Sequence, residues 1–194
     1  MERWEDRNTS RTQVNNSVEA ILRKSGVKGW LEDCGPTSAT TGCDVLGYKV
    51  EIDLPGGAQI QGEDALSIWM NDPVNIDALK AAVPGVDPSA YMNNEILQYY
   101  PFALAKVFGA KAEVRLGQTF QNVADLVKEG NAVMIHLKNP RHYLCVVHFD
   151  EANAALIYRD PWPGRTGTDG FNLSMKADEW AANAQDSICV ISKP

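Results

Sequence analysis

Four apolar runs in the second half of the chain restrict its fold more than any other feature. They are Ala132–Leu137, Tyr143–Phe149, Ala155–Tyr158 and Ile188–Ile191. All are short, rich in branched and aromatic side chains, and separated by turn residues such as Asn139-Pro140. Runs of this length and composition between turns read as strands. Short connections between consecutive strands leave an antiparallel arrangement as the natural one. Ala112–Arg115 reads as a further strand. Between them, Thr119–Glu129 carries Phe120, Val123, Leu126 and Val127 at the spacing of one helical face, and Gly130 ends it. Asp178–Ala184 reads as a short helix.

The first half has another texture. Residues 1–16 read as an irregular arm. Ser17–Lys24 is a short amphipathic segment with Val18, Ile21 and Leu22 on one face, closed by Ser25-Gly26. A loop follows, and a helix is expected from Gly35 to about Leu46. Pro36 suits its first turn and Gly47 its C-terminal cap. Tyr48–Ile52 reads as a short strand or an extended connection. Residues 53–92 are punctuated by Pro55-Gly56-Gly57, Asp72-Pro73, Pro84-Gly85 and Asp87-Pro88. Ala65–Met70 and Asn75–Ala82 are the helical pieces between those breaks. Asn93–Phe108 has helical periodicity, with Pro101 expected to break or kink it. Helices first and sheet afterwards make an α+β layout. The expected organisation is a single domain over 1–194, with a helical insertion at about 53–92. Trp69, Met70, Tyr91, Tyr99 and Tyr100 either line a substrate groove or form the core of that insertion; their helical spacing favours the core.

At 194 residues and 44% hydrophobic, the chain buries enough apolar surface to fold without disulfide or metal staples. Its four cysteines, Cys34, Cys43, Cys145 and Cys189, match no zinc-binding spacing. Cys145 and Cys189 sit in the strand-like runs YLCVV and SICVI and are expected to be buried thiols. The net charge is −7 and no long basic stretch exists, which argues against nucleic acid as a partner. No segment approaches the ~20 apolar residues of a membrane span, so no membrane insertion is expected. The polar start, Met1–Gln13, has no signal-peptide character, so the expectation is a protein that is cytoplasmic as synthesised and needs release by other means to act elsewhere.

Three segments carry chemistry. Asp33-Cys34-Gly35-Pro36-Thr37-Ser38-Ala39 puts a thiol at a helix start, where the helix dipole favours thiolate over thiol. Gly35 leaves room for a substrate backbone, and the small residues after it allow close packing on a sheet. A cysteine opening a helix is also an ordinary core residue. Arg141-His142-Tyr143 places an imidazole at the start of a strand, just past a turn, from where it reaches a cleft; imidazole is the natural proton acceptor for a thiol nucleophile. The chain has three histidines. His136 lies within a strand. His148, six residues beyond His142, falls on the same face of a regular strand and is the main competitor for the base. Asp160, in Asp160-Pro161-Trp162, ends the following strand, where its carboxylate can accept a hydrogen bond from imidazole Nδ1–H and fix the tautomer.

These segments resemble the C39-like peptidases, papain-like cysteine peptidases related to the bacteriocin-processing enzymes of bacteria. The resemblance rests on Asp-Cys-Gly-Pro-Thr-Ser at 33–38, on His142-Tyr-Leu-Cys-Val-Val with Asp150 behind it, and on Asp160-Pro-Trp. It implies a papain-like fold, with the nucleophile helix packed on a mostly antiparallel sheet. It also implies Cys34 as nucleophile, His142 as base and Asp160 as the group orienting the imidazole. A nucleophile and a base more than a hundred residues apart suit such a plan. The family also uses a Gln, about six residues before the Cys in many members, to stabilise the oxyanion. Lys28 stands there in this chain. Gln13 is the proposed substitute, with residues 17–30 as an inserted helix and loop; Asn15 and Asn16 are alternatives. The Cys34 backbone N–H would be the second donor.

The expected activity is a cysteine peptidase cleaving amide bonds through a thioacyl intermediate, with no metal or organic cofactor. Its partner is a peptide or protein substrate, either a protein tail or leader or the stem peptide of peptidoglycan, as for a bacterial or phage lysin. Two rivals stand beside it: a non-catalytic peptide-binding module on the same fold, favoured by the missing Gln, and a cysteine amidase or transamidase.

Overall fold

The computed structural model describes residues 33–53, 57, 59–88, 93–162 and 170–194. In chain order these form α1 (Cys34–Val45), β1 (Ile52–Asp53), β2 (Gln59–Ile60), α2 (Gly62–Asn71) and α3 (Ile76–Ala82). After two 3₁₀ turns, Asn93–Glu95 and Leu97–Tyr99, come α4 (Tyr100–Phe108), β3 (Lys111–Arg115), α5 (Phe120–Lys128) and β4 (Ala132–Leu137). The chain then forms β5 (His142–Asp150), β6 (Ala155–Arg159), β7 (Leu173–Met175), α6 (Ala177–Asn183) and β8 (Ala184–Ser192). Six strands make one sheet in the order β3-β8-β4-β5-β6-β7, with every pairing antiparallel. The strands β1 and β2 form a separate two-stranded ribbon.

The sheet is covered on both faces, which explains why its strands read as near-continuous apolar runs rather than alternating ones. On one face Met134, Tyr143, Cys189 and Ile191 join a core with Ala39 and Cys43 of α1 and with Tyr100 and Leu104 of α4. On the other, Val133, Ile135, Leu144, Val146, Ile188 and Val190 pack with Val123, Leu126 and Val127 of α5 and Trp180 of α6. Alternate residues of each strand therefore serve opposite cores. Cys145 and Cys189 are fully buried, as their contexts predict.

Helix α1 lies on this sheet at very short range. Gly35 through Cys43 are all buried. A Cβ on Gly42 would stand 2.7 Å from the Ile191 Cδ1 and 3.3 Å from the Ala132 Cβ. Only a run of glycine, alanine, serine and threonine lets a helix sit this close to a sheet.

The helices expected over 65–70 and 75–82 appear as α2 and α3. Leu66, Met70 and Leu79 enter the same core as α1 and the sheet. Met70, Tyr99 and Tyr100 are fully buried, and Trp69 packs edge-on to Phe102 at 5.8 Å between ring centres; Tyr91 lies outside the described residues. The expectation for 93–108 needs correction. Pro101 does not kink a long helix; it sits in the first turn of α4, where its missing N–H costs nothing, and the residues before it form the two 3₁₀ turns. The strand β7 carries no pattern that sequence reading identified. Helix α5 matches its expectation, closed at its start by a reciprocal Thr119–Asn122 capping box.

In an exposed helix, Gly→Ala raises stability by up to ~1 kcal/mol. Gly42→Ala should instead lower it, by ~1–3 kcal/mol of overpacking, in urea unfolding followed by circular dichroism.

Candidate active site

The site is built where the start of α1 meets the start of β5 and the end of β6. Cys34 is the first residue of α1 and is partly buried, whereas Cys43, Cys145 and Cys189 are buried. As the first helical residue, its N–H has no acceptor within the helix. His142 opens β5 and Asp160 follows the end of β6; they are 2% and 3% exposed. Their side chains meet at 2.6 Å, His142 Nε2 to Asp160 Oδ1. The backbone N–H of Tyr143, one residue past His142, acts as a hydrogen-bond donor to the Cys34 sulfur. The fold thus gathers three positions that are far apart in sequence.

The contact corrects one expectation. The imidazole nitrogen facing Asp160 is Nε2, not Nδ1. Nδ1 is then the ring nitrogen left for a thiol. Asp160 is itself held in place. Its Oδ1 also accepts the Trp162 N–H at 2.9 Å, and its own N–H donates to the Gly170 carbonyl at 2.8 Å. Gly170 has φ +81°, and a Cβ there would collide with the Asp160 carbonyl, so both backbone shape and space require glycine. Trp162 sits edge-on to the His142 ring with centres 5.9 Å apart. An aromatic there shields the imidazole–carboxylate pair from water, and its place in Asp160-Pro161-Trp162 was the available signal.

His148 does not share the setting of His142. The β5–β6 register shifts between Val146 and His148. Cys145 and Val147 pack together beside α1, yet Phe149 packs in the opposite core with Phe120. The alternation counted from His142 is therefore broken before His148. His148 lines a shallow groove with Val127, Lys128, Phe149, Asp150 and Glu151. His136 stacks on Tyr143 at 4.4 Å, and burial lowers its pKa. Gln13, Asn15, Asn16 and Lys28 lie outside the described residues.

Electrostatics run against the sequence expectation at Cys34. Burial pushes its thiol up to about 11, and the carboxylates of Asp33 and Glu95 push the same way, while the N–H groups of Tyr143 and Gly35 pull it down. Taking the sulfur out of water outweighs the helix dipole. Asp33 adds a feature that sequence reading missed. It occupies the N-cap of α1, but its side chain makes no capping bond. Its Oδ1 instead accepts Ser67 Oγ–H at 2.7 Å and Asn94 Nδ2–H at 2.8 Å. Burial, reinforced by Asp64 and Glu63, raises its pKa to about 8. Among the described residues, no group of three or more His, Cys, Asp and Glu side chains is placed to hold a metal ion. None of the described helices is long and apolar enough to cross a membrane.

The family model described as Peptidase_C39 like family matches residues 12–188. The chain belongs to that family. No curated protein matches the sequence. Among solved structures, the chain is similar to the peptidase domain of Streptococcus ComA, a bifunctional ABC transporter involved in a quorum-sensing pathway. Identity is 13%, coverage is 84% of this chain and 93% of that one, and the TM-score is 0.52. It is also similar to a C39-like peptidase from Bacillus anthracis, at 13% identity, 84% and 90% coverage and a TM-score of 0.50. At that identity the likeness speaks for the fold, which is papain-like as the C39-like motifs imply.

The Asp33 carboxyl has an ordinary value of 3.8 and a folded value of about 8. The folded chain therefore holds an extra proton between those values, and stability falls as pH rises through that window. In urea unfolding, Asp33→Asn should gain on the parent between pH 5 and pH 8.5, by on the order of 1–3 kcal/mol. A parent and variant that keep a constant difference across that range would contradict the assignment.

Proposed function

We propose that this C39-like chain is a cysteine peptidase in which Cys34 is the nucleophile, His142 the base and Asp160 the group that orients the imidazole. The buried 2.6 Å contact between His142 Nε2 and Asp160 carries the reading, because it leaves Nδ1 as the proton acceptor beside a peptide whose next N–H reaches the Cys34 sulfur. The Cys34 sulfur attacks the substrate carbonyl carbon as its proton passes to His142. The resulting oxyanion is held by the Cys34 N–H and the Gln13 amide. The tetrahedral species collapses, the C–N bond breaks, and His142 returns the proton to the leaving amine. Water then attacks the thioester and gives a proton to His142; the C–S bond breaks to release the acid, and His142 returns that proton to the Cys34 sulfur.

The substrate is a peptide amide, in a protein leader or tail or in the stem peptide of peptidoglycan. Mass analysis of new amine ends, after incubation with purified peptidoglycan and with a peptide library, separates these. One observation favours a second reading, a peptide-binding module without catalysis: burial raises the Cys34 thiol to about 11, where an isolated thiol is inert near neutral pH.

Iodoacetamide decides between them, because the other three cysteines are buried. A thiol that hands its proton to His142 should be alkylated near pH 6, where an ordinary thiol is largely unreactive. His142→Ala should remove that neutral-pH reactivity and leave a rise only at strongly alkaline pH. Cys34→Ala should abolish cleavage while unfolding as cooperatively as the parent. Cleavage at the parental rate by Cys34→Ala, or equal alkylation profiles with and without His142, would end the peptidase reading.

A further inference from the structure

We propose that the 3₁₀ turn Asn93–Glu95 sets the thiol of Cys34 against the imidazole of His142, with Asn94 as a positioning residue. This rests on the reading of Cys34 and His142 as nucleophile and base. The turn bonds to the flank of each group. On the thiol side, Asn94 Nδ2 donates to Asp33 Oδ1 at 2.8 Å and lies 3.1 Å from Ser67 Oγ. Asp33 is the residue just before Cys34. The Asn94 carbonyl accepts the Tyr100 hydroxyl at 2.6 Å, and that hydroxyl occupies the space a Cβ on Gly35 would need. On the imidazole side, the Glu95 carbonyl accepts the Tyr143 hydroxyl at 2.8 Å. Tyr143 directly follows His142, and its own N–H reaches back to the Cys34 sulfur. Consecutive residues of one turn thus hold the residue before the thiol and the residue after the imidazole.

The turn is anchored in its own right. Asn93 Nδ2 donates to the Met70 carbonyl at 2.7 Å, and the Asn93 N–H to Asn71 Oδ1 at 3.2 Å. Asn71 Nδ2 donates to Asn94 Oδ1. Asn93 and Asn94 are buried, so these bonds face little competition from water. A reactive pair needs its geometry held to a fraction of an ångström, and a turn anchored through the buried Asn93 and Asn94 and touching both flanks supplies that. The burial that raises Asp33 keeps its carboxyl neutral around pH 7, so the Asn94 bond adds no charge beside the thiol.

The test is the pH profile of Cys34 alkylation by iodoacetamide in the full chain. Asn94→Ala should lower the rate on the neutral-pH limb by about ten- to hundredfold and leave the alkaline limb in place. Tyr143→Phe removes the other leg without opening a cavity and should act in the same direction; it serves if Asn94→Ala does not fold. Tyr99→Phe deletes a different, part-buried tyrosine bond, to the Val86 carbonyl at 2.9 Å, and should leave the profile unchanged. In a His142→Ala background, Asn94→Ala should have no further effect on the neutral limb. A parent with no neutral limb removes the base assignment and this inference with it. A parent with that limb, and folded Asn94→Ala and Tyr143→Phe variants that share its profile, overturn the positioning role alone.

Discussion

The arrangement depends on how closely α1 lies on the sheet. Nine consecutive residues of that helix, Gly35 to Cys43, are buried, and Gly42 has no room for a methyl group between Ile191 and Ala132. This fixes the height of the helix above β4, β5 and β8, and so fixes where its first residue comes to rest. The opposite face of the sheet must then be covered as well, by α5 and α6, or the alternate apolar residues of β4, β5 and β8 would face water. The position of Cys34 next to the Tyr143 peptide follows from helix-on-sheet packing rather than from a local motif.

That packing also creates an electrostatic problem. A helix start favours a thiolate, yet the contacts that hold the helix remove its sulfur from water and raise the thiol. Glu95 deepens the effect, and Asp33 joins it once its carboxyl ionises above about 8. A thiol in such a place becomes a nucleophile only if its proton has somewhere to go. The buried imidazole, held through Nε2 by Asp160, is the group the fold places for it in the proposed mechanism. Asp160 in turn is fixed by the backbone of Trp162 and Gly170. Burial works as the organising force at each step: it raises the thiol and keeps Asp33 neutral, while hydrogen bonds hold the imidazole in one orientation.

Much of the fold was legible because strand and helix patterns record burial directly. The runs 132–137 and 143–149 are strands because both faces of the sheet are covered. Thr119–Glu129 is a helix because its apolar face and its cap agree. Pro101 misled because proline is equally at home in the first turn of a helix and at a break within one, and only the two preceding 3₁₀ turns show which applies. Strand β7 lacked an apolar pattern because it is a three-residue strand at the edge of the sheet. His148 looked equivalent to His142 because counting by twos assumes a regular strand, and a register shift leaves no mark in composition.

The sequence by itself determined the α+β layout, the helix opening at Cys34, the strand opening at His142 and the family to which these motifs point. Those features are local, set by periodicity, by small residues and by turn residues within a few positions. Only the tertiary structure decided that Nε2 faces Asp160, that burial of the sulfur outweighs the helix start and raises the thiol, and that the Asn93–Glu95 turn bonds to both sides of the site. Each of these depends on distances between residues remote in the chain and on the loss of water around them, and neither is written into any single segment.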